Sequence, residues 1–431
     1  MASKIVSNGF FARATLFAGL DRFIIRKRFT GAKWRPRYAA DVLSAPYTSL
    51  NSTISSKSLA DVIESLVGAS YLIGGFPKAV ACMQTLLPLE PWTPVPEAND
   101  ILYNAVPADS VITGLAALET LVGYTFTRKM ALLEALTHPS YKGPLENCSY
   151  ERLEFLGDAV LDYIISRRLY AHVPELGHAK MHGIRTAMAN AAFLAFRMFE
   201  TTMAEERTMP PDMRKEVHYR CLWQFLRSDA AALVVGRDAA IMQYDATKEA
   251  VRHALHHEGV FPWHILALTD SPKFLSDIVE SAIGGIYVDS HGNIGACEVF
   301  VRKLGILDCL DRILRDGIDC LHPKERLGIL AMEKDVQYLR VTAEGDKTGS
   351  GVKGKYRCQV RVGGVDVGDV VEGVKRLNAE TVAAWEACRI LEAGKNDGLD
   401  EDVEMEPVME DQCEDEEWFD AEEGGVELID L

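Results

Sequence analysis

At 431 residues the chain has room for roughly three domains, each able to bury a core of its own. Its 48% hydrophobic and 25% charged residues are ordinary globular usage and exclude a wholly disordered or fibrous protein. The net charge of −17 sits at one end: residues 397–431 hold 17 acids and no lysine or arginine, which leaves 46 acids and 46 bases elsewhere.

The first forty residues carry nine bases against the single acid Asp21, so the chain keeps the local positive field that a polyanion needs. Nine cysteines without a CxxC pair argue against a disulfide framework or a zinc site and suit free thiols in a reducing compartment. No apolar run approaches eighteen residues, so no membrane span is expected. Met1 to Phe29 is Arg-rich like a mitochondrial presequence, but it has only Ser3 and Ser7 as serines, and Arg13 interrupts its apolar stretch. A basic helix of a first domain is the expected reading, with a cytoplasmic or nuclear location preferred over a mitochondrial one.

An internal repeat organises the body of the chain. KSLADVIESLVGASY, Lys57 to Tyr71, returns as KFLSDIVESAIGGIY, Lys273 to Tyr287, with seven of fifteen positions identical at an offset of 216 residues. Both copies have helical periodicity, and Lys273, Asp277, Glu280 and Gly284 step by three or four residues, so they share one face. Between the copies, THPSY (Thr137 to Tyr141) precedes a second acidic helix, YERLEFLGDAVLDYIISRRLY, Tyr150 to Tyr170. In it Leu153, Leu156, Val160 and Ile164 form an apolar stripe, and Glu151, Glu154, Asp158 and Asp162 share another arc. Gly157 lies mid-helix, where it costs about 1 kcal/mol relative to alanine, and so points to close packing or ligand approach. Residues 201–270 suggest no chemistry of their own and read as an insertion.

From Leu321 to Glu392 the pattern is α-β-β-β-α: HPKERLGILAME begins helically, Tyr356, Cys358, Val360 and Val362 alternate as a strand, Gly363-Gly364 makes a hairpin turn, and Ala383, Ala387, Ile390 and Leu391 mark a closing helix. The acidic end, 397–431, reads as a disordered tail.

ERLEFLGDAVLD, preceded by THPSY and followed by DIVESAIGGIY, resembles the paired signature helices of the ribonuclease III family, and the chain as a whole resembles the C-terminal part of fungal Dicer-like proteins. The resemblance implies a mainly α fold of all-helical ribonuclease III domains followed by a small α+β double-stranded-RNA-binding-like module. The implied boundaries are a partial first ribonuclease III domain at 1–92, a linker at 93–113, a complete second domain at 114–306, the RNA-binding-like module at 321–392 and the tail at 397–431.

Carried over position by position, Glu154, Asp158, Asp277 and Glu280 are the catalytic acids and the ligands of two Mg²⁺ or Mn²⁺ ions. Chemistry agrees with that carry-over, since two divalent ions roughly 4 Å apart serve phosphodiester hydrolysis and prefer hard carboxylate oxygens. Glu151 and Lys273 are accessory candidates. Asp61 and Glu64 are the incomplete first-domain site, because nothing between Met1 and Asp61 looks like ERLEFLGD. Lys353, Lys355, Lys375 and Arg376 are the candidate RNA contacts.

The implied activity is metal-dependent cleavage of double-stranded RNA, as in small-RNA production, RNA silencing and antiviral defence. Either the two ribonuclease III domains pair internally or two copies pair through the complete one. The competing readings are a non-catalytic double-stranded-RNA-binding scaffold and a mitochondrial RNA-processing ribonuclease III.

Overall fold

The structure is a computed structural model describing residues 7–24, 55–107, 114–143, 148–209, 214–269, 271–332, 334–341 and 356–396. Lys353, Lys355 and the acidic tail lie outside the described residues.

The first unit pairs α1 (Asn8–Phe17) with the long α2 (Ser56–Leu86). Ser7 and Ser55 cap the two helices by accepting main-chain N–H bonds from Phe10 and Ser58. Thr15, fully buried, donates its hydroxyl to the Leu59 carbonyl at 2.6 Å and ties the pair. Phe11, Ala60, Ile63 and Leu87 form the small core between them.

By length and composition α2 is apolar enough to cross a membrane, with a mean hydropathy of 1.4 over its best window, which corrects the expectation that no segment would be. The helix is nonetheless interrupted. Gly74 and Gly75 leave helical geometry, Gly75 at φ 64°, and Pro77 follows, so the helix is broken into two pieces.

Stretch 93–113, expected as a linker, holds a helix, α3 (Val95–Ala105). Its Asn99 donates to the His291 carbonyl at 3.2 Å, and Tyr103 stacks on the His291 ring at 4.0 Å. The Arg128 guanidinium then bonds the Val106 carbonyl at 2.5 Å, and Val106 belongs to the largest core.

That core is built by α4 (Ala116–Val122), α5 (Lys129–Ala135), α6 (Glu151–Tyr170), α7 (His178–Met188) and α8 (Ala191–Glu200). It is completed by α9 (Ala231–His257), α10 (Trp263–Leu268), α11 (Phe274–Asp289), α12 (Ile294–Lys303) and α13 (Ile306–Asp316). Leu307, Leu310, Ile313, Ile318 and Cys320 are buried in it, so the packed unit continues past the boundary expected at 306.

Helix α11 runs through the middle: of its sixteen residues all but Glu280 and Tyr287 are buried. Buried Asp289 fixes its C-terminal end by accepting from the Tyr124 hydroxyl at 2.9 Å and from the Thr127 and Arg128 N–H groups at 2.8 and 2.7 Å. The 201–270 insertion is an antiparallel hairpin, β1 (Thr202–Met209) with β2 (Arg214–Cys221) in register Thr202↔Cys221, leading into the 27-residue α9.

The last unit is α14 (Pro323–Ala331), the antiparallel sheet β3 (Val336–Arg340), β4 (Tyr356–Val362) and β5 (Val365–Gly373), and α15 (Arg376–Asn396). Leu327, Cys358, Val360, Ala383, Ala384 and Ala387 fill the space between helices and sheet. Helix α15 also docks on the larger unit, where Trp385 stacks flat on His264 with ring centres 4.1 Å apart. Burial, and then the Arg389 charge, holds His264 down at about 4, so this contact is between two neutral rings.

Candidate active site

The two acidic helices cross at glycines. A Cβ on Gly157 of α6 would overlap the Glu280 carbonyl of α11, and one on Gly284 would overlap the Leu153 carbonyl. Only residues without a side chain let the two backbones approach this closely, and the approach brings the flanking acids of both helices to one spot. Leu153, Val160 and Ile164 are buried on the inner side of α6, Leu156 is half-buried, and the acids emerge along the edge of the crossing.

Glu154, Asp277 and Glu280 meet there, with one carboxylate oxygen of each lying within 4.8 Å of the others. Asp277 is 5% exposed, Glu280 is partly buried, and Asp158, one turn along α6, is exposed at the rim. Burial, and then the charges of Asp158, Asp277 and Glu154, pushes the Glu280 carboxyl up to about 8. Burial raises Asp277 too, against the pull of Lys273. Burial and the crowding of acids thus both disfavour the ionised form of Glu280.

Lys273 supplies part of the compensation. It stands at the N-terminus of α11, and its ammonium donates to Asp277 Oδ1 at 2.9 Å and to Glu154 Oε1, bridging both helices. Burial works against its charge, but the two carboxylate bonds outweigh that and raise its pKa. Glu151 opens α6, is exposed and accepts the Ser149 hydroxyl at 3.0 Å. Asp162, farther along the arc, faces Arg185 at 3.9 Å and lies away from the cluster.

Asp61 and Glu64 are exposed on α2, and the acid cluster found among the described residues does not include them. In the last unit, Arg376 and Lys324 converge on Glu380, which is only 2% exposed, with N–O distances of 2.6 and 2.8 Å. Two cations at the start of α14 and α15 are thereby held by an internal carboxylate. Lys375 is exposed beside them.

Sequence reasoning passed over Tyr150. It precedes α6, is 4% exposed, and its hydroxyl donates to Asp277 Oδ2 at 3.3 Å. Burial, and then the Asp277 charge, drives the phenol well above its ordinary pKa, so it remains a donor. The available signal was an aromatic residue directly ahead of the acid-bearing helix, but such a residue reads equally well as core.

Residues 151–291 match the profile of the ribonuclease III domain. The chain carries a ribonuclease III domain. Residues 316–430 match the double-stranded-RNA-binding domain of Dicer-like protein 2, so a Dicer-like RNA-binding domain follows it. The chain is similar to Dicer-like protein 2 of Phaeosphaeria nodorum, at 58% identity over 99% of this chain and 30% of that protein. The Dicer-like protein 2 sequences of Coccidioides immitis and Cryphonectria parasitica are 39% and 35% identical, each over 91% of this chain and 28% of their own length. The chain thus spans less than a third of the curated relatives it matches. The nuclease domain of ribonuclease III from Campylobacter jejuni aligns with 46% of this chain and 96% of its own length, at 22% identity and a TM-score of 0.28. Both helices of the carboxylate cluster fall inside the ribonuclease III domain match.

Proposed function

We propose that the chain cleaves phosphodiester bonds of double-stranded RNA at the α6–α11 carboxylate site with divalent metal ions. The observation that carries this reading is the convergence of Glu154, Asp277 and Glu280 within 4.8 Å at a glycine-to-glycine helix crossing, inside the ribonuclease III match. The donor set fits Mg²⁺ or Mn²⁺: all ligands are hard carboxylate oxygens, and Glu280, raised first by burial and then by the charges of Asp158, Asp277 and Glu154, stands in an acid cluster whose mutual repulsion a cation relieves. Glu154, Asp158, Asp277 and Glu280 would hold two ions. Bound there, the metal supplies Lewis-acid neutralisation of the phosphate and activation of the attacking water.

The protein's own part is positional. The glycine crossing sets the spacing of the acids, and buried Asp289 and Ser281 fix α11 against its neighbours. Lys273 holds Glu154 and Asp277 together, and its 72% exposed side chain would be within reach of a phosphate oxygen of a bound duplex. Asp61 and Glu64 stand on an exposed helix face, and among the described residues the first unit supplies no second acid cluster. Cutting by an internal pair is then single-strand nicking, whereas staggered double cuts require two copies. Phe155, 67% exposed on α6 beside a 460 Å³ groove lined by Leu102, Val106, Leu156 and Val288, is the surface two copies would use. In the cell we place this activity in small-RNA production within the cytoplasm.

The test is a denaturing-gel assay on a long duplex with each strand labelled separately, in Mg²⁺, for wild type, Glu280→Ala and Asp158→Ala. Cutting by the wild type that is lost in both variants supports the nuclease. One strand cut points to the internal pair, and both cut points to the homodimer. Duplex bound but uncut by the wild type overturns the catalytic reading in favour of an RNA-binding scaffold.

A further inference from the structure

The insertion and the THPSY segment have no part in the chemistry proposed above, yet they meet beside it. Arg227, which follows the β1–β2 hairpin, forms a parallel bridge with Thr137: its N–H donates to the Leu136 carbonyl at 2.9 Å, and its carbonyl accepts from His138 N–H at 2.9 Å. Its guanidinium donates to the Leu133 carbonyl at 3.1 Å and to the Thr137 hydroxyl oxygen, and lies over the Tyr141 ring. Two residues on, Asp229 accepts the Lys142 N–H at 2.7 Å. The insertion therefore clamps the whole segment from Leu133 to Lys142.

The clamped segment in turn holds Tyr150. Its Thr137 carbonyl accepts the Tyr150 N–H at 2.9 Å, and the His138 ring meets the Tyr150 ring edge-on at 5.6 Å. Tyr150 then touches both acid-bearing helices. Its carbonyl accepts the Glu154 N–H at 2.7 Å, and its hydroxyl donates to Asp277 Oδ2. Asp277 is thus gripped at both oxygens, Oδ1 by Lys273 and Oδ2 by Tyr150.

The two grips differ in kind. Lys273 is a long, flexible cation, 72% exposed at its side chain, and it can leave when a metal arrives. Tyr150 is buried, neutral and anchored through its backbone, so it can stay. A carboxylate that ligates a metal is oriented by the hydrogen bond its other oxygen accepts, and removing such partners weakens metal binding.

We infer that Tyr150 is a positioning residue: its hydroxyl fixes the Asp277 carboxylate for the metal ion, and the insertion, through Arg227 and Thr137, fixes Tyr150. This rests on the reading of the α6–α11 cluster as a divalent-metal site. It assigns the insertion a mechanical role in that site.

The decisive variant is Tyr150→Phe, which keeps the buried ring and removes only the hydroxyl. Mn²⁺ binding to the RNA-free full chain, followed by electron paramagnetic resonance or calorimetry, is expected to weaken by about 10-fold or more. The Mg²⁺ dependence of cleavage should move to higher concentration by a similar factor, with KM for the duplex unchanged. Arg227→Ala should shift Mn²⁺ binding in the same direction by less, while Arg227→Lys restores part of it. Tyr150→Phe binding Mn²⁺ as tightly as wild type overturns the assignment, and so does a loss of thermal stability with unchanged Mn²⁺ affinity. Glu280→Ala separates this inference from the reading beneath it. If that variant binds Mn²⁺ like the wild type, the metal site itself is wrong; if it loses Mn²⁺ and Tyr150→Phe does not, only the role of Tyr150 falls.

Discussion

Helices α2 and α11 carry the two copies of the repeat, identical at seven of fifteen positions, and live in opposite surroundings. Asp277 and Gly284 of α11 are buried against α6, and a Cβ on Gly284 would collide with the Leu153 backbone. The matched Asp61, Glu64 and Gly68 of α2 face outward, and a Cβ on Gly68 would meet nothing within 4 Å. The same acids become a charged cluster in one place and a solvated helix face in the other. A motif is half of a site. The other half is the helix that crosses it, and here a second glycine, Gly157, decides whether that helix comes close enough.

This contrast can be broken or sharpened by matched substitutions. The largest effect is expected on cleavage. Asp277→Ala or Glu280→Ala should slow it by on the order of 10³-fold or more, about 4 kcal/mol of barrier. Asp61→Ala and Glu64→Ala should leave the rate within about twofold on the scale of such changes. Strand-specific gels read both, and a strand whose cutting depends on Asp61 would end the distinction between the helices.

Next come the glycines. Gly284→Ala forces a methyl into a backbone carbonyl and should cost about 3 kcal/mol or more. Gly68→Ala lies in open helix surface and should be neutral or stabilising by roughly 0.5–1 kcal/mol. Urea denaturation followed by circular dichroism distinguishes the two, and equal costs would mean that α2 is also crossed closely.

A smaller effect is expected from pH. Glu280 keeps its proton in the fold up to about 8 but loses it near the ordinary glutamate value when unfolded. Between those limits the folded state binds more protons, so metal-free stability is full at the acid end and falls as pH rises, by on the order of 2 kcal/mol. Mg²⁺ should restore it increasingly toward pH 8, and Glu280→Gln should flatten the profile. Melting temperatures from pH 5 to 8, with and without Mg²⁺, check the sign.

The smallest effect concerns the contact between the units. Tyr71 of α2 meets Tyr163 of α6, hydroxyl to hydroxyl at 2.5 Å, with Phe76 against both rings. Tyr71→Phe should loosen that contact by about 1 kcal/mol or less, seen as faster amide exchange along α2.

Much of this was legible in the chain itself. The 3.6-residue spacing of Leu153, Val160 and Ile164 against Glu154 and Asp158 announces a helix with one apolar and one acidic side, because side chains three and four apart must share a face. Alternation at Cys358, Val360 and Val362 with Gly363-Gly364 announces a strand and its hairpin for an equally local reason. The repeated Lys, Asp, Glu and Gly of α2 and α11 mark where chemistry is placed.

Other features could not be read this way, because they depend on partners far away in the chain. That Glu154 meets Glu280 rests on two glycines 127 residues apart. Arg376 reads as a free basic side chain until buried Glu380 and Lys324 are seen beside it. Tyr150 looks like any core aromatic until its hydroxyl is found on Asp277. Residue type and period, which are local, were settled by the sequence alone. Burial, and with it the strength of every charge in the site, depends on which backbone lies opposite, and only the tertiary structure decided that.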